Sequence, residues 1–415
     1  MRLAVVCPHF APDSAPTGEV ITRIVVELAA RGHELHVVTA LPYYEHHRVD
    51  SAWRGAPVRR ERTAWGTVTR VHPFPTDKTS LPRRAAGFVA FCTLAGAAGA
   101  VGHRVDGVLA MSPPLPLGLV GWGMRVVRGG PLVFNVQDVF PDVAIELGKL
   151  TDPRLIAAAR RLERVTYRRA DAVTVLSDDL RENVAAKLPA AERRKVRVIP
   201  NFVDPEAIRP ADRDTAYRRE LGIGDQTVVL YAGNVGFSQS LDVVVEAARR
   251  LLHRTDIVFV VNGGGSGLAE VQARAAGLPN VRFAPYQPRE RLAEVLATGD
   301  VHVVPLRKGL GRSSVPSKTY SILAAGRPFV TSIDPGTEVE RIASASGGGT
   351  AVPPDDVDAF VAALEKLVDD EPQRREMGRR GRAWVERAVS PASVAQAYEA
   401  LFAELHGRPV TAAPA

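Results

Sequence analysis

A basic, hydroxyl-rich loop in the second half of the chain contains the residues best suited to bind a phosphate group. Arg312, Ser317 and Lys318 lie in it, with glycines at 309 and 311, and a helical pattern begins near Lys318. Diphosphates are bound by cations and N–H donors placed at the start of a helix in this way. The sequence therefore predicts a phosphate site here; an exposed basic surface is the alternative.

Two glycine-rich turns each follow an apolar run and precede a helical pattern. The first contains Gly233, Asn234 and Gly236, and the second spans 262–267. Glycine allows backbone N–H groups to approach an anion closely. The first turn is therefore a candidate for diphosphate binding, although a tight turn without a ligand would have the same sequence. For the second turn we favour a plain strand-to-helix connection.

Further polar side chains follow apolar runs in both halves. Glu338 comes after the run 329–332 and could accept hydrogen bonds from sugar hydroxyls, or simply cap a helix. Gln137 and Asp138 follow the run 132–136. Open α/β sheets bind ligands at this end of their strands, so both residues are site candidates. An aspartate that only stabilises the turn is the alternative for this segment.

Short apolar runs alternate with helical periods twice along the chain, and this alternation positions the loops. The runs are 3–7, 35–39, 107–111, 132–136, 172–176 and 196–199 in the first half, and 227–232, 257–261, 281–284, 300–305 and 329–332 in the second. The pattern predicts an α/β protein with two Rossmann-like, doubly wound domains whose strand ends face one cleft. We place the domains at 1–203 and 204–390, with a polar linker within 200–226 and a last helix at 391–406.

The charge of the chain favours anionic partners. Its formal net charge is +7 and its pI is about 9.6. Basic and aromatic residues do not alternate as they do in proteins that bind single-stranded nucleic acid, so nucleic acid is not an expected partner. An anionic membrane surface is the main alternative to a plain solvated surface.

Composition also bears on the compartment and on membranes. The chain has two cysteines, Cys7 and Cys92, which predicts no disulfide framework and fits a reducing cytoplasm. The uncharged segment 85–102 consists mostly of Ala and Gly, whose transfer into lipid is weakly driven. We therefore predict a packed helix there, with a shallow membrane contact as the alternative. The turn after the run 3–7 lacks the G-x-G-x-x-G pattern, so a dinucleotide site is not expected.

Taken together, several segments resemble family 4 of the retaining GT-B glycosyltransferases. They include Pro16-Thr17-Gly18-Glu19, the stretch 30–39, Pro200-Asn201-Phe202-Val203-Asp204, Gly233-Asn234-Val235-Gly236, and Val315-Pro316-Ser317-Lys318 followed by 324–328. The resemblance covers nearly the whole chain. Around 136–138 and 316–318 it is most similar to the fucosamine-type transferases of surface-polysaccharide assembly.

The resemblance implies transfer of a sugar from a nucleotide-diphosphate donor of the UDP type to a glycan or lipid-linked acceptor. It implies an N-acetylated aminosugar as the transferred group. It implies retention of anomeric configuration without a metal or other cofactor, and a last helix that crosses back to the first domain. Asp138 and Lys318 would be catalytic. Donor contacts would come from Gly233, Asn234, Gly236, Arg312, Ser317, Lys318, Glu338 and Gln137, and acceptor contacts from Thr17, Gly18 and Glu19.

The sequence departs from the family pattern at two places. Gln137 stands where many members have a histidine, and glutamine cannot accept a proton at neutral pH. Ser313 and Ser321 stand where members have paired glutamates, so the ribose-binding carboxylate is either missing or supplied elsewhere, with Glu338 and Glu340 as the candidates. Two other classes remain open: a nucleotide-sugar epimerase, against which the missing histidine speaks, and a non-catalytic protein that binds an anionic ligand.

Overall fold

The chain forms two compact units. The computed structural model describes residues 1–45, 48–75, 81–311, 313 and 315–407. Unit 1 consists of Met1–Asn201 together with the segment that begins at Pro391, and unit 2 consists of Phe202–Ser390. Each unit contains its own sheet.

Unit 1 is built on an eight-stranded sheet. Its strands are β1 (Arg2–Val6), β2 (Glu34–Ala40), β3 (Val58–Thr63), β4 (Gly66–Val71), β5 (Gly107–Met111), β6 (Leu132–Asn135), β7 (Ala172–Val175) and β8 (Val196–Val198). The strand order is β3-β4-β2-β1-β5-β6-β7-β8, and every neighbouring pair is parallel except β3 and β4. The predicted parallel sheet is thus confirmed, whereas the antiparallel hairpin of β3 and β4 was not predicted.

Helices cover this sheet. They are α1 (Pro16–Ala30), α2 (Leu81–Ala100), α3 (Leu117–Arg128), α4 (Asp142–Glu146), α5 (Pro153–Arg169) and α6 (Asp178–Ala186). In α1, Ile21, Ile24, Val25 and Leu28 recur at helical spacing and are all buried. Pro16 is in the first turn of α1, where its missing N–H costs nothing.

The Ala/Gly-rich segment forms most of α2, as predicted, and α2 packs against α3. Small residues permit this close packing: a Cβ added to Gly99 would lie 2.7 Å from Sδ of Met124. Within the described part of the chain, we find no helix with the length and apolar character needed to traverse a bilayer.

Unit 2 is built on a six-stranded, entirely parallel sheet. Its strands are β9 (Thr227–Ala232), β10 (Ile257–Asn262), β11 (Val281–Ala284), β12 (Val301–Pro305), β13 (Phe329–Ser332) and β14 (Gly349–Val352). Their order is β11-β10-β9-β12-β13-β14. This is the doubly wound Rossmann order, which reverses direction between the first and the fourth strand.

The helices of unit 2 are α7 (Ala216–Glu220), α8 (Asp242–Arg250), α9 (Leu268–Arg274), α10 (Leu292–Thr298), α11 (Lys318–Ala324), α12 (Glu338–Ser346), α13 (Val357–Asp369) and α14 (Glu371–Ala388). The core on one face of the sheet contains buried side chains of β9, β10, α8 and α13, among them Tyr231, Phe259 and Phe360.

The predicted linker is wrong for its second half, because α7 lies there and is part of the fold of unit 2. Tyr217 and Arg218 are buried in α7. Arg218 pairs with Asp300 at 3.4 Å, and the backbone N–H of Tyr217 donates to Glu294. The segment is polar, which predicts exposure, but its polar groups are buried against partners from distant parts of the sequence. The sequence alone therefore did not predict the burial of α7.

The last helix, α15 (Pro391–Leu405), returns to unit 1 and packs against α1. Arg31 and Glu399 form an ion pair between the two helices. Phe402 of α15 packs on Gly107, where an added Cβ would lie 2.5 Å from the Phe402 ring. Glycine is therefore required at the start of β5 for this helix to pack closely.

Candidate functional site

Two of the predicted phosphate-binding segments lie at the point where the strand order of unit 2 reverses. The turn 233–236 follows β9, and the segment 306–317 follows β12, which neighbours β9 in the sheet. In doubly wound sheets the helices leave two such strands in opposite directions, and ligands bind in the crevice at the carboxyl ends of these strands. The sheet thus brings together segments that are far apart in sequence.

Lys318 is the first residue of α11, and its ammonium group lies beside Gly233 at the carboxyl end of β9. Nζ is buried and lies 3.8 Å from the centre of the Tyr231 ring. Within the described residues, Nζ has no hydrogen-bond partner. Burial lowers the pKa of Lys318 to about 7.

This environment is costly for a cation. The face of the Tyr231 ring attracts the ammonium, but a ring supplies no hydrogen-bond acceptor. A buried donor without an acceptor costs about 1–3 kcal/mol, and more when it is charged. A phosphate oxygen would remove that cost, so the site is suited to an anion.

The first glycine-rich turn contacts Lys318 directly. Gly233 has φ of +143°, and an added Cβ would lie 3.3 Å from Nζ of Lys318. Its N–H donates to the carbonyl of Asn262, and that of Gly236 donates to Oε1 of Gln239. Both predicted N–H donors are therefore already paired, while Asn234 is exposed. The glycine at 233 is required by its backbone conformation and by its contact with Lys318, and its diphosphate contact stays a prediction.

The second glycine-rich turn, 262–267, packs against the first. A Cβ on Gly263 would lie 1.9 Å from the carbonyl oxygen of Gly233, and one on Gly265 would lie 2.4 Å from that of Val235. Backbone hydrogen bonds also join the two turns, from Val235 to Gly264 and from Gly267 to Val235. These glycines therefore serve close packing, as the plain strand-to-helix interpretation expects.

Asp334 accepts hydrogen bonds from the backbone of the basic loop. Its Oδ2 accepts the N–H groups of Gly309 at 2.8 Å and Gly311 at 3.2 Å. The nearby Glu338 lies at the start of α12 and forms an ion pair with Arg341 at 2.9 Å. Asp334 thus fixes the loop, whereas the sugar contact predicted for Glu338 remains a prediction.

The other predicted residues near the basic loop differ in their exposure and in their hydrogen-bond partners. Ser317 is exposed and precedes α11 without capping it through its side chain. Ser313, at one of the family's glutamate positions, is fully buried, and Ser321 at the other is half-buried. Glu340 accepts the N–H of Gly336. Arg312, a predicted donor contact, lies outside the described residues.

In unit 1, Gln137 is part of a buried chain of amides. Its Nε2 donates to Oδ1 of Asn135 at 2.6 Å, and its Oε1 accepts from Asn201 at 2.9 Å. Asn135 in turn donates to Thr174 and to the hydroxyl of Tyr398 in α15. Gln137 therefore fixes the end of β6 and retains one amide N–H for a ligand. The sequence did not predict this hydrogen-bonded chain; the signal that could have pointed to it is Asn135, a polar residue within an otherwise apolar run.

Asp138 follows directly and is exposed. It is the first ionisable residue along the chain after the end of β6, and its role in catalysis stays a prediction. Asp142, at the start of α4, pairs with Lys187 at 2.6 Å and is structural.

The turn after β1 contains a histidine that the sequence analysis did not single out. Nδ1 of His9 lies 2.6 Å from Oδ2 of Asp13, and the His9 ring stacks on Tyr43 at 5.2 Å. Gly18 lies against this loop, since an added Cβ would lie 2.9 Å from Cβ of His9. Thr17 and Glu19 are half-buried beside it in the first turn of α1. The aromatic and polar groups gathered here are of the type that contacts a sugar.

The two cysteines have no part in this chemistry. Both are free and buried, and burial raises the pKa of Cys7 and Cys92 to about 12. At neutral pH they are thiols, which are poor nucleophiles. Among the residues that the structure describes, no three or more His, Cys, Asp or Glu side chains gather in a way that could hold a metal ion.

Two family models match the chain. The model described as glycosyl transferase 4-like domain matches residues 17–201, and the model described as glycosyl transferases group 1 matches residues 213–384. Among curated proteins, a putative colanic acid biosynthesis glycosyl transferase of Escherichia coli, WcaI, is 30% identical over 383 residues, which cover 89% of this chain and 92% of that protein.

Solved structures agree at the level of the fold. Sucrose-phosphate synthase from Thermosynechococcus elongatus matches with a TM-score of 0.73 and 18% identity, over 98% of this chain and 99% of that chain. Anabaena HepE, solved in complex with UDP and glucose, matches with a TM-score of 0.68 and 13% identity, over 97% of this chain and all of that chain. The predicted fold class is thereby confirmed, and the chain belongs to the family 4 (group 1) glycosyltransferases of GT-B fold.

Proposed function

We propose that this glycosyltransferase moves a sugar from a UDP-type nucleotide donor to a glycan or lipid-linked acceptor in polysaccharide biosynthesis. The donor diphosphate binds in unit 2, in the crevice that contains Lys318. The acceptor binds in unit 1, at the loops that carry Asp138 and the segment 17–19.

One observation carries the donor site: the buried ammonium of Lys318, which has no hydrogen-bond partner within the described residues. In the transfer, the bond between the anomeric carbon and the diphosphate breaks, and negative charge grows on the leaving phosphate. A fixed cation that water cannot reach stabilises that charge more than it stabilises the bound donor. Lys318 would therefore act in catalysis as well as in binding.

The choice of UDP rests on similarity. HepE was solved with UDP and glucose, and its fold matches this chain over nearly its full length. WcaI, by its name, acts in colanic acid biosynthesis, which supports a surface polysaccharide as the product. The resemblance to fucosamine-type transferases supports an N-acetylated aminosugar as the transferred group.

Retention and independence from a metal belong to the same proposal. If the acceptor hydroxyl attacks the anomeric carbon from the face that the diphosphate leaves, no protein nucleophile is needed. The hydroxyl proton passes to the departing phosphate oxygen, so the charges balance. Lys318 supplies the positive charge that a metal ion supplies in other transferases.

A transfer assay tests the proposal. UDP-N-acetylaminosugars are incubated with the enzyme and with lipid-linked sugars as acceptors, and both released UDP and glycosylated product are measured. NMR of the product gives its anomeric configuration. Lys318→Ala should lose at least a hundredfold in turnover, whereas Lys366→Ala, an exposed lysine of α13, should behave as wild type.

The same assay separates the other classes. An epimer formed from a UDP-sugar without any acceptor would identify an epimerase. Tight UDP binding without turnover of any nucleotide sugar would identify a binding protein. An inverted product would overturn retention while leaving the transfer itself intact.

A further inference from the structure

A cavity of about 730 Å³ lies at the amino-terminal edge of the unit 2 sheet. Asp300, which precedes β12, and Arg327, which precedes β13, line it, together with side chains of α14. The turn 233–236 and Lys318 lie at the carboxyl ends of the strands. The five residues of β12 span roughly 17 Å, so the two places are well separated.

The cavity is strongly basic. Six of its lining residues are arginines and three are carboxylates. The arginines are Arg213, Arg327, Arg374, Arg375, Arg379 and Arg382. Such an excess of guanidinium groups around a concave surface attracts anions.

The packing of α14 creates this arrangement. Arg374, Gly378 and Arg382 are spaced by four residues and therefore lie on one face of the helix. A Cβ on Gly378 would lie 2.0 Å from the carbonyl oxygen of Gly326, so the glycine permits direct contact with the turn that follows α11. The contact places one arginine on each side of that turn.

Two of these guanidinium groups form no direct ion pair with any of the described residues. Arg374 is only 8% exposed, and a single nitrogen, Nη1, donates to the carbonyls of Leu367 and Val368. Arg327 likewise uses only Nη2, towards Ala211 and Ala297. Within the described parts of the chain, no carboxylate lies within 4.0 Å of either guanidinium.

The other arginines are held differently. Arg213 and Arg218 share the carboxylate of Asp300, and Arg382 donates to three backbone carbonyls and pairs with Glu386. Arg375 and Arg379 are exposed at the rim. Arg327 and Arg374 are therefore the lining arginines below the rim that have no direct ion pair within the described residues.

We propose that this cavity binds a compact, multiply charged phosphate anion, with Arg327 and Arg374 as its principal contacts. The planar guanidinium group matches phosphate oxygens in geometry as well as in charge. The same chemistry suits a soluble oligophosphate and the phosphate headgroup of an anionic lipid. The site is separate from the donor site and does not depend on the proposed function.

Calorimetric titration with inorganic tripolyphosphate tests the proposal. The protein carries Lys318→Met, which removes the anion-binding ammonium of the donor crevice, and sodium chloride keeps the ionic strength constant. One tripolyphosphate should bind per chain. Arg327→Gln and Arg374→Gln should each weaken binding at least tenfold, since each removes a charge-assisted hydrogen bond. Arg387→Gln, an exposed change on the same helix, should have no effect.

A second variant guards against misfolding, because Arg374 is buried. The double change Arg375→Gln and Arg379→Gln alters only exposed side chains at the rim and should still weaken binding several-fold. Failure of tripolyphosphate to bind, or equal binding by all of these variants, would overturn the proposal.

Vesicle flotation distinguishes the two ligand sources. Vesicles of phosphatidylcholine with and without phosphatidylglycerol are compared, again with the Arg327→Gln and Arg387→Gln variants. Binding that requires phosphatidylglycerol and Arg327 identifies a lipid headgroup. Tripolyphosphate binding without vesicle binding identifies a soluble phosphate.

Discussion

Replacing Lys318 by methionine should stabilise the unliganded enzyme, although it removes the residue that we propose to bind the donor. Methionine is unbranched and only one atom shorter than lysine, so it keeps most of the side chain while it removes the buried charge over the Tyr231 ring. The pKa of Lys318 is about 7 in the folded state, compared with 10.5 for a free lysine. Wild-type folding must therefore desolvate an ammonium or release its proton.

The size and the sign of the effect follow from this shift. Between pH 7 and 10.5 the folded state binds fewer protons at Lys318 than the unfolded state, so this lysine's penalty to wild-type stability shrinks as the pH rises. One pKa unit corresponds to about 1.4 kcal/mol, which sets an upper limit of about 5 kcal/mol for the penalty below pH 7. At pH 9 the penalty falls to about 2 kcal/mol. The stability advantage of Lys318→Met over wild type should fall in parallel, from an upper limit of about 5 kcal/mol below pH 7 to about 2 kcal/mol at pH 9.

Native-state hydrogen exchange in urea, read by mass spectrometry, measures this difference. Peptides from β9 and β12 report the free energy of unfolding of unit 2 at pH 6, 7.5 and 9. Lys366→Met, an exposed substitution in α13, controls for the change of residue type. It should differ from wild type by less than about 0.5 kcal/mol at every pH.

Two results would refute the reasoning. If Lys318→Met destabilised unit 2 at pH 6, the ammonium would have a favourable partner. If the advantage of Lys318→Met did not change between pH 6 and pH 9, the pKa of Lys318 would not be lowered. Either result would remove the physical basis of the anion site.

Three further substitutions test other parts of the site. Asp138→Asn should reduce kcat strongly in a steady-state assay, whereas UDP affinity and stability should stay unchanged because the carboxylate is exposed. An unchanged kcat would exclude Asp138 from catalysis. We propose that Tyr286, an exposed ring beside Gly264 after β11, stacks on the base of the donor. Tyr286→Ala should then weaken UDP binding about tenfold in a calorimetric titration, and unchanged affinity would exclude this stacking role. Tyr398→Phe should lower the free energy of unfolding of unit 1 by about 1–2 kcal/mol in a hydrogen-exchange measurement, because the Tyr398 hydroxyl is a buried hydrogen-bond partner of Asn135. If no stability is lost, a water molecule has replaced the hydroxyl.

Strands with apolar runs were predictable, including β8 and β11 at sheet edges, whereas the edge strands β3 and β14 were not. The run 227–232 matches β9 to the residue because its side chains are buried by helices on both faces. By contrast, β3 is mostly charged and alternates between exposed and half-buried side chains, so it shows no apolar run. Similarly, β14 begins at Gly349 and lies at the edge of its sheet. Burial on both faces, more than intrinsic propensity, produces the pattern that sequence analysis detects.

The candidate site divides in the same way. The type and position of Lys318 made it a phosphate candidate, but the absence of an acceptor for its Nζ among the described residues depends on Tyr231 and Gly233, far away in sequence. Gln137 was predicted to contact the donor sugar. Its hydrogen bond to Asn201 could not be predicted, because that residue lies far away in sequence and is brought close only by the fold; the bond to Asn135 lies at the end of β6. A sequence shows which groups could do chemistry, and the fold decides which of them still lack a partner.

Isothermal titration of UDP into wild type and Lys318→Met tests the central claim most directly. We expect wild type to bind UDP with net proton uptake near pH 7.5, visible as a binding enthalpy that depends on the buffer, because the diphosphate restores the ordinary pKa of the lysine. Lys318→Met should bind at least tenfold more weakly and without proton uptake. Equal affinity and equal protonation in the two proteins would contradict the assignment of Lys318 to the donor diphosphate.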